Sequence, residues 1–505
     1  MRSKPFVAGE IDFEQLGPPR YEQLAQGIEE AIRAGRLKPG ERLPPVRQLA
    51  GELGISVTTV ASAFELLSQR KLVRAEVGRG TFVAPMTALP TAHVAVQPSP
   101  AVRRTRKTPW RRRSLMTLGA RLSGLYPKAL DCSTGRPDVN LLPSALLQRA
   151  WKSVMKKSEA ADLQYSGPEV IEPLARALER VLASDAIAAR AADLLIGSSA
   201  QQLMMLSLEV AIEKAASDTA VVAVEEPGYP TIMDAFERAG ARLIPVAVDE
   251  EGAVPESLDN ALRHGAMMVL LTPRAHNPTG ACWSTQRRSA LAAVLAEHPA
   301  AVAVEDDQFA GIAETRPGSL LNEGKVSERV IYIRSFSKSI APDLRTATAA
   351  ARPALRAALA EAKSFADGWT SRLLQKTLAA TLADRDLPAL LGQARDAYRR
   401  RRQQVCEALN ALLRAHGGWT WCGPDGLNLW VHLPPDFDAM DAVERAAAMG
   451  VRIAPGEPFF IRPGHSDVMR LNAGSVPTEK AAEAGRITAE AILASRHREH
   501  SLVHV

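Results

Sequence analysis

The 505-residue sequence lacks long apolar segments and is poor in cysteine. No apolar run approaches the roughly 20 residues that a membrane-spanning helix needs, and residues 1–5 run straight into polar sequence, unlike a signal peptide. The four cysteines, Cys132, Cys282, Cys406 and Cys422, have neither metal-ligand nor redox spacing. We therefore expect a cytoplasmic protein with no membrane contact, no metal site and no structural disulfide.

Acidic residues are missing from one segment, residues 85–115, which holds seven Lys or Arg side chains and no Asp or Glu. This segment also contains several prolines and little apolar periodicity, as is typical of an extended, solvated tether. The same basic side chains would also suit an arm that contacts nucleic-acid phosphates. Both interpretations stay open for this stretch, which ends with Arg111, Arg112 and Arg113.

One lysine stands among hydroxyl side chains. Lys338 follows Ser335 and Ser337, and Arg345 lies seven positions downstream. A lysine that forms an imine with pyridoxal 5'-phosphate (PLP) needs such neighbours, because hydroxyls and a guanidinium hold the phosphate while the amine attacks the aldehyde. On these residues alone, a solvated loop lysine is the alternative.

Four further segments follow apolar, strand-like stretches. Residues 197–202 lie at the start of a predicted helix, and a helix N-terminus is an anion site. Tyr229 offers a ring for stacking on a heterocycle. Asn277 offers a donor for a phenolate oxygen, and Asp306 a carboxylate for a protonated pyridine nitrogen. Each segment alone is also compatible with an ordinary turn or a solvated acid. Together they predict a doubly wound α/β sheet with its ligand at the carboxyl edge.

Residues from about 130 to 494 resemble fold-type I PLP-dependent aminotransferases, most specifically at residues 277–280 (Asn-Pro-Thr-Gly) and 335–338 (Ser-Phe-Ser-Lys). The resemblance implies Lys338 as the Schiff-base lysine, Asp306 as the pyridinium partner, Asn277 as the O3' donor and Tyr229 as the stacking ring. It implies phosphate contacts from Ser199, Ala200, Gln201, Ser335, Ser337 and Arg345, and from Tyr165 to the cofactor of a neighbouring subunit. Arg470 matches the arginine that binds a substrate carboxylate; a surface arginine is the alternative.

Two positions depart from the family pattern. The tyrosine that usually hydrogen-bonds O3' is replaced, because the segment after the acidic pair reads Gln308-Phe309. The glycine expected five residues after Tyr165 is Val170. We expect the first departure to change the protonation of the cofactor and the second to change the loop that carries Tyr165.

The first eighty residues have a different pattern. Apolar residues recur with helical period at Leu24, Ile28, Ala31 and Ile32. A short helix is predicted over residues 46–53, a turn at 54–55 and a second helix over 56–69, capped by Ser56. Residues 72–74 and 80–83 then predict a two-stranded wing, which completes a winged helix-turn-helix.

Residues 21–83 resemble the GntR winged-helix domain, through residues 35–45, 47–50, 58–60 and 78–83. The resemblance implies that double-stranded DNA is contacted by Arg47 on the phosphate backbone, by the start of the recognition helix and by the wing. The arginine usual after the capping serine is Val57 here, which removes one expected contact. The candidate DNA-binding residues are Arg47, Ser56, Thr58, Thr59 and Arg79.

The combined pattern resembles MocR-type GntR regulators. It implies a winged helix at 14–84, the linker at 85–115, and an α/β fold-type I aminotransferase-like domain at 116–498 with a large doubly wound lobe and a smaller C-terminal lobe. We expect a homodimeric, PLP-binding transcription regulator that senses an amino acid or amine effector rather than turning it over productively. The alternatives are a working aminotransferase that carries a DNA-binding head, and a DNA-binding protein whose second domain is an inactive scaffold.

Overall fold

The computed structural model describes residues 19–33, 36–38, 40–69, 72–76, 80–84, 109–216 and 219–495. The chain divides into two compact units, residues 1–102 and 103–505. Each unit has its own apolar core.

The first unit is a winged helix-turn-helix, as predicted. Its elements are α1 (Arg20–Arg33), α2 (Val46–Leu53), α3 (Val57–Gln69), β1 (Val73–Glu76) and β2 (Gly80–Val83). Gly54 ends α2 in the left-handed conformation, with φ of 64°, which allows the sharp turn into α3. The periodic residues of α1 are buried against Val60, Ala63, Phe64 and Leu67 of α3. β1 and β2 pair antiparallel, with Val73 opposite Val83, to form the wing.

The second unit is a two-lobed α/β domain. Its helices are α4 (Arg111–Leu125), α5 (Ser144–Lys157), α6 (Glu172–Ser184), α7 (Ala200–Ala215), α8 (Pro230–Arg238), α9 (Pro255–Arg263), α10 (Thr285–Glu297), α11 (Pro353–Ala366), α12 (Arg372–Leu382), α13 (Leu387–Leu413), α14 (Ala439–Ala448) and α15 (Ala481–Leu493). Its strands are β3 (Leu130–Asp131), β4 (Leu194–Gly197), β5 (Val221–Glu226), β6 (Arg242–Asp249), β7 (Gly252–Ala253), β8 (Met268–Leu271), β9 (Val302–Asp307), β10 (Val330–Ser335), β11 (Ala347–Ala351), β12 (Trp419–Trp421), β13 (Asn428–His432), β14 (Val451–Arg452), β15 (Ala454–Pro455) and β16 (Val468–Asn472).

The large lobe contains a sheet of eight strands in the order β4-β11-β10-β9-β8-β5-β6-β7. The central strands β10, β9, β8, β5 and β6 are parallel, and β11 runs antiparallel to both of its neighbours. Successive residues of β10 enter different cores: Val330 and Tyr332 pack in one, Ile331 and Ile333 in the other. The sheet is therefore covered on both faces, as doubly wound sheets are.

Local sequence explains where several helices of this lobe begin. α8, α9 and α11 start with Pro230, Pro255 and Pro353, and proline is favoured there because its missing N–H has no partner in a first turn. Ser199 caps α7 by accepting a hydrogen bond of 3.1 Å from the Gln202 amide. These starts place the N-termini of α7 and α8 after the ends of β4 and β5.

The small lobe is built on an antiparallel sheet of order β12-β13-β16-β15 and a parallel pair, β14 with β3. Helices α13, α14 and α15 share a core with this sheet, which includes Leu409, Val443 and Ile492. The predicted class, a large doubly wound lobe with a smaller C-terminal lobe after a winged helix, is confirmed.

One boundary differs from the prediction. α4 begins at Arg111, so the last residues of the predicted linker 85–115 are helical. Arg111 itself is fully buried, and the expectation that it belongs to a solvated tether or DNA-contacting arm is wrong. Residues 85–108 lie outside the described residues.

Candidate functional site

The carboxyl edge of the parallel strands brings the predicted cofactor residues together. Lys338 follows β10, Asp306 lies near the end of β9 and Asn277 follows β8. These strands are neighbours in the sheet, with Asp306 opposite Ile333. The three residues therefore lie at the edge where doubly wound sheets bind their ligands.

Asp306 is a buried carboxylate with one unpartnered oxygen. Its Oδ2 accepts a hydrogen bond of 2.6 Å from Gln308 Nε2, and Oδ1 has no hydrogen-bond partner within the described part of the chain. Burial, reinforced by the nearby Asp307 and Glu225 charges, raises the pKa of Asp306 to about 7. A protonated pyridine nitrogen at Oδ1 would supply both the missing donor and a positive charge. The carboxylate thus fits PLP.

Lys338 has the environment of a nucleophilic amine. Its Nζ donates a hydrogen bond to the Gly135 carbonyl. Burial and then the positive charge of Arg470 lower the pKa of Lys338 to about 8, although Asp306 opposes the shift. Because only the neutral amine attacks an aldehyde, this lowered pKa favours covalent attachment of PLP near neutral pH.

The amide of Asn277 is oriented by its neighbours. Its Oδ1 accepts a hydrogen bond of 3.3 Å from Asn428 Nδ2 and lies 3.5 Å from Nη1 of Arg470. Asn472 in turn donates to Asn428 Oδ1 at 2.9 Å. With its oxygen facing two donors, Asn277 has its own Nδ2 left to donate to an acceptor such as the PLP phenolate.

Arg470 is a buried cation that lacks a carboxylate partner in the described chain. It is 6% exposed, its Nη2 donates to the Ser133 carbonyl, and its Nε has no acceptor among the described residues. The guanidinium carbon lies 5.0 Å from the centroid of the Phe459 ring. Burial lowers the pKa of Arg470 to about 10, with only partial compensation from Asp131 and Tyr229. A ligand carboxylate would satisfy this guanidinium bidentately.

The phosphate-binding candidates meet around β11. Ala347 pairs with Gly197 of β4 on one side and with Ser335 of β10 on the other. Ser199 follows Gly197 at the start of α7, and the exposed Arg345 precedes Ala347 by two residues. A helix N-terminus, hydroxyls and a guanidinium at one edge suit a phosphate. The residues on these elements are Ser199, Ala200, Gln201, Ser335, Ser337 and Arg345.

A cavity of about 610 Å³ opens beside Lys338. Tyr229, Asn277 and Arg470 line it, so the predicted stacking ring, O3' donor and carboxylate-binding side chain face one space. α4 forms one wall of this cavity, and two further arginines from other segments also line it. The α4 residues of the wall include Arg112, Leu115, Met116 and Gly119, and the further arginines are Arg136 and Arg452.

Arg111 ties α4 to the large lobe. Its Nη1 lies 2.9 Å from Asp234 Oδ1 and 2.7 Å from Glu237 Oε2, both on α8. Its Nε and Nη2 donate to the carbonyls of Phe460 and Ile461 at 2.8 and 2.6 Å. The helix that follows the predicted linker is therefore anchored to the helix that Tyr229 precedes.

Tyr165 lies apart from this cavity. It is 84% exposed and packs edge-on against Trp369, with ring centroids 5.4 Å apart. Val170, which replaces the family glycine, packs partly buried against the large-lobe core. The assignment of Tyr165 to a neighbouring subunit's cofactor stays a prediction, and its exposure leaves the side chain accessible to such a partner.

The hydrogen bond from Gln308 to Asp306 was not predicted from the sequence. Phe309, where the family has tyrosine, is 5% exposed and packs with Tyr398 and Leu427. The Gln308 amide instead supplies the hydrogen bond to Asp306 Oδ2. Its position two residues after Asp306 was the available signal, because a side chain so close along the chain is within reach of the carboxylate.

The winged helix presents most of the predicted DNA contacts at its surface. Arg47, Ser56 and Thr58 are exposed, and Thr59 is half-buried. Ser56 Oγ accepts a hydrogen bond of 3.0 Å from the Thr59 amide, which is the predicted cap of the recognition helix. Arg79 lies outside the described residues.

The described ranges contain neither a metal-binding cluster nor a single membrane-spanning helix. No group of three or more His, Cys, Asp or Glu side chains there is placed to hold a metal ion. No single helix in those ranges is long and apolar enough to cross a membrane. Helices α2 and α3 together have the length and apolar composition of a membrane span, but the chain bends by 119° between them.

Two protein families match separate parts of the chain. The gntR family of bacterial regulatory proteins matches residues 20–83, and the class I and II aminotransferases match residues 136–486. These segments correspond to the winged helix and to most of the two-lobed domain.

Two curated relatives match across both parts. The vitamin B6 salvage pathway transcriptional repressor PtsJ of Salmonella typhimurium is 30% identical over 448 residues, which cover 88% of this chain and 92% of the relative. The HTH-type transcriptional regulator TauR of Rhodobacter capsulatus is 30% identical over 457 residues, covering 87% and 89%.

Solved aminotransferase structures match the two-lobed domain. LysN, an alpha-aminoadipate aminotransferase from Thermus thermophilus, superposes with a TM-score of 0.66 at 27% identity, covering 77% of this chain and 95% of LysN. That structure holds N-(5'-phosphopyridoxyl)-L-leucine. The kynurenine aminotransferase of Pyrococcus horikoshii gives the same TM-score at 25% identity, covering 75% and 94%.

Proposed function

The chain belongs to the MocR-type GntR regulators, PLP-dependent transcription regulators with a DNA-binding winged helix and an aminotransferase-like domain, and we propose that it senses an amino acid at the Lys338 cavity. PLP, when bound, supplies an aldehyde that combines reversibly with primary amines. Asp306 would hold the pyridine nitrogen, Asn277 the phenolate oxygen, and Lys338 the aldehyde carbon. An effector amine would compete with Lys338 for that carbon.

The charges around the cavity favour an acidic amino acid. Arg470 is suited to bind the α-carboxylate, because it is a buried guanidinium without a carboxylate partner in the described chain. Arg112 and Arg136 also line the cavity, and neither has an ion-pair partner among the described residues. A second carboxylate on the effector would therefore meet uncompensated positive charge.

The observation that carries the signalling part of the proposal is the position of α4. This helix begins within the last residues of the predicted linker to the winged helix, and its first turns line the Lys338 cavity. Arg111 also fixes α4 to α8, whose N-cap is Tyr229. An effector that contacts Arg112 or displaces Tyr229 would thus act directly on the segment leading to the DNA-binding head.

Such signalling requires that the effector bind one arrangement of α4 more tightly than the other, because a ligand with equal affinity for both shifts nothing. A typical coupling free energy is about 1–3 kcal/mol. We further propose that the regulator works as a homodimer in the cytoplasm, with Tyr165 reaching the partner's cofactor. A two-fold arrangement would present two winged helices to repeated half-sites on double-stranded DNA.

A working aminotransferase is the second candidate function, and the presence of both Lys338 and Asp306 favours it. The two functions differ in turnover. Holo-protein incubated with excess L-glutamate and an excess keto acid should release far less than one product per site per minute if it is a sensor. Sustained multiple turnover, with no change in DNA binding on adding L-glutamate, would establish the enzyme instead. L-Glutamine is the matched ligand that lacks the second carboxylate.

A further inference from the structure

A second cavity, of about 530 Å³, is lined largely by aromatic rings. We call these six rings the aromatic cage: Trp419, Trp421, Trp430, His432, Phe460 and His465. They include three of the seven tryptophans of the chain, so this one cavity concentrates side chains that are otherwise scarce. No residue lines both this cavity and the one beside Lys338.

The rings of the cage are held in place by packing on one another. Trp419 stacks on His432 with centroids 4.0 Å apart and planes 9° apart, and Phe460 stacks on His465 at 3.7 Å and 8°. Trp430 lies 6.2 Å from Phe460 in a tilted arrangement. Rings already fixed by their neighbours lose little conformational freedom when a ligand binds.

The cavity is negatively charged. Glu250 and Asp467 line it, and neither carboxylate has an ion pair in the described chain. Asp249 also lines it, but Arg287 pairs with both of its oxygens at 2.7 and 2.8 Å. None of the described lining residues is Lys or Arg.

His432 does not cancel this charge. Burial lowers the pKa of His432, and the opposing effect of Asp467 does not overcome it, so its imidazole is neutral at neutral pH. The cavity therefore combines aromatic rings with two carboxylates that have no ion pair in the described chain, and rings and carboxylates both attract a cation.

We propose that the aromatic cage binds a small organic cation of the alkylammonium or quaternary ammonium class. Cations of this kind gain from ring faces because they are weakly hydrated, whereas an anion would be repelled by Glu250 and Asp467. A neutral apolar ligand would leave both carboxylates uncompensated.

This site is separate from the proposed sensing of an amino acid. Thr279 lines the cage cavity and Asn277 lines the cavity beside Lys338, so different residues of one turn line the two cavities. Binding to the cage requires neither Lys338 nor bound PLP. Its failure would therefore leave the sensing proposal intact, and the reverse also holds.

Choline and its uncharged isostere 3,3-dimethylbutan-1-ol test the proposal, because they share shape and hydroxyl but differ in charge. Full-length holo-protein is titrated with each by calorimetry. We expect one choline site per chain and binding of choline at least about tenfold tighter than the isostere. Trp419→Ala, a substitution of a partly exposed ring, should weaken choline binding by about 2- to 30-fold.

The paired substitution Glu250→Gln with Asp467→Asn should weaken choline binding by a similar factor and leave binding of the isostere unchanged. Glu361→Gln on the exposed side of α11 is the matched charge control and should change neither. Retained PLP absorbance shows that each variant is folded. Equal affinities for choline and the isostere, no choline binding, or choline binding unaffected by both cage variants would each overturn the proposal.

Discussion

The anchor of α4 gives a quantitative prediction for Arg111→Ala. The substitution removes a fully buried guanidinium that contacts Asp234 at 2.9 Å and Glu237 at 2.7 Å. It also removes donors to two carbonyls at 2.8 and 2.6 Å. Deleting one partner of a buried ion pair typically costs about 3–5 kcal/mol, because burial penalises a carboxylate that has lost its cation.

This loss should appear as local opening of α4, because the other contacts of the large lobe are untouched. A change of 3–5 kcal/mol corresponds to roughly 150- to 5,000-fold faster hydrogen exchange at α4 amides in the regime where exchange follows opening. Exchange measured by mass spectrometry on peptides spanning residues 111–125 tests this. The central strands β9 and β10 should keep their protection.

Two variants make the measurement specific. Arg113→Ala removes an exposed arginine two residues away, and its effect should stay within about 0.5 kcal/mol. Arg111→Lys keeps the charge but loses the planar fork, so it should fall between the wild type and Arg111→Ala. If Arg111→Ala and Arg113→Ala exchange α4 amides at equal rates, the anchoring role of Arg111 is refuted.

The remaining predictions concern the cofactor, the effector and DNA. Burial lowers the pKa of Lys338 to about 8, so its amine becomes neutral as pH rises through 8. The rate of PLP uptake by apo-protein, followed by absorbance, should therefore rise between pH 7 and 9 and then level. A rise only above pH 10 would mean that Lys338 has the pKa of an ordinary lysine. Arg470→Ala should weaken binding of an amino acid effector by about 2–5 kcal/mol in calorimetry, and Arg470→Lys should have an intermediate effect. Unchanged affinity in Arg470→Ala would exclude Arg470 from the effector site. Arg47→Ala should weaken DNA binding by about 1–3 kcal/mol and lower the salt slope by about 1, whereas an unchanged slope would remove Arg47 from the phosphate contacts.

The strand-end residues of the site were predictable from sequence. Apolar stretches precede the segments that carry Asn277, Asp306 and Lys338, which indicates parallel strands, and such strands share a carboxyl edge. The winged helix was likewise readable from the helical period of its apolar residues, because that period alone determines which face is buried.

The role of Arg111 was not predictable in this way. Residues 85–115 contain seven Lys or Arg side chains and no acid, and the partners of Arg111, Asp234 and Glu237, lie more than 120 positions away. Composition alone therefore favours a solvated arm. The cavity that contains the aromatic cage was not predictable for the same reason. Its lining residues come from segments around residues 227, 250, 279, 420, 432 and 465.

The central claim is that the Lys338 cavity controls DNA binding, and one comparison tests it most directly. Holo wild type and Arg470→Ala are titrated onto the DNA upstream of the protein's own gene by fluorescence anisotropy at fixed salt, with and without the L-glutamate concentration that saturates the wild type. We predict a change in Kd of about 5- to 150-fold for the wild type, as typical coupling energies give, and a far smaller change for Arg470→Ala, which lacks the guanidinium that binds the effector carboxylate. A wild-type Kd that ignores the ligand, or an equal change in both proteins, would contradict the account.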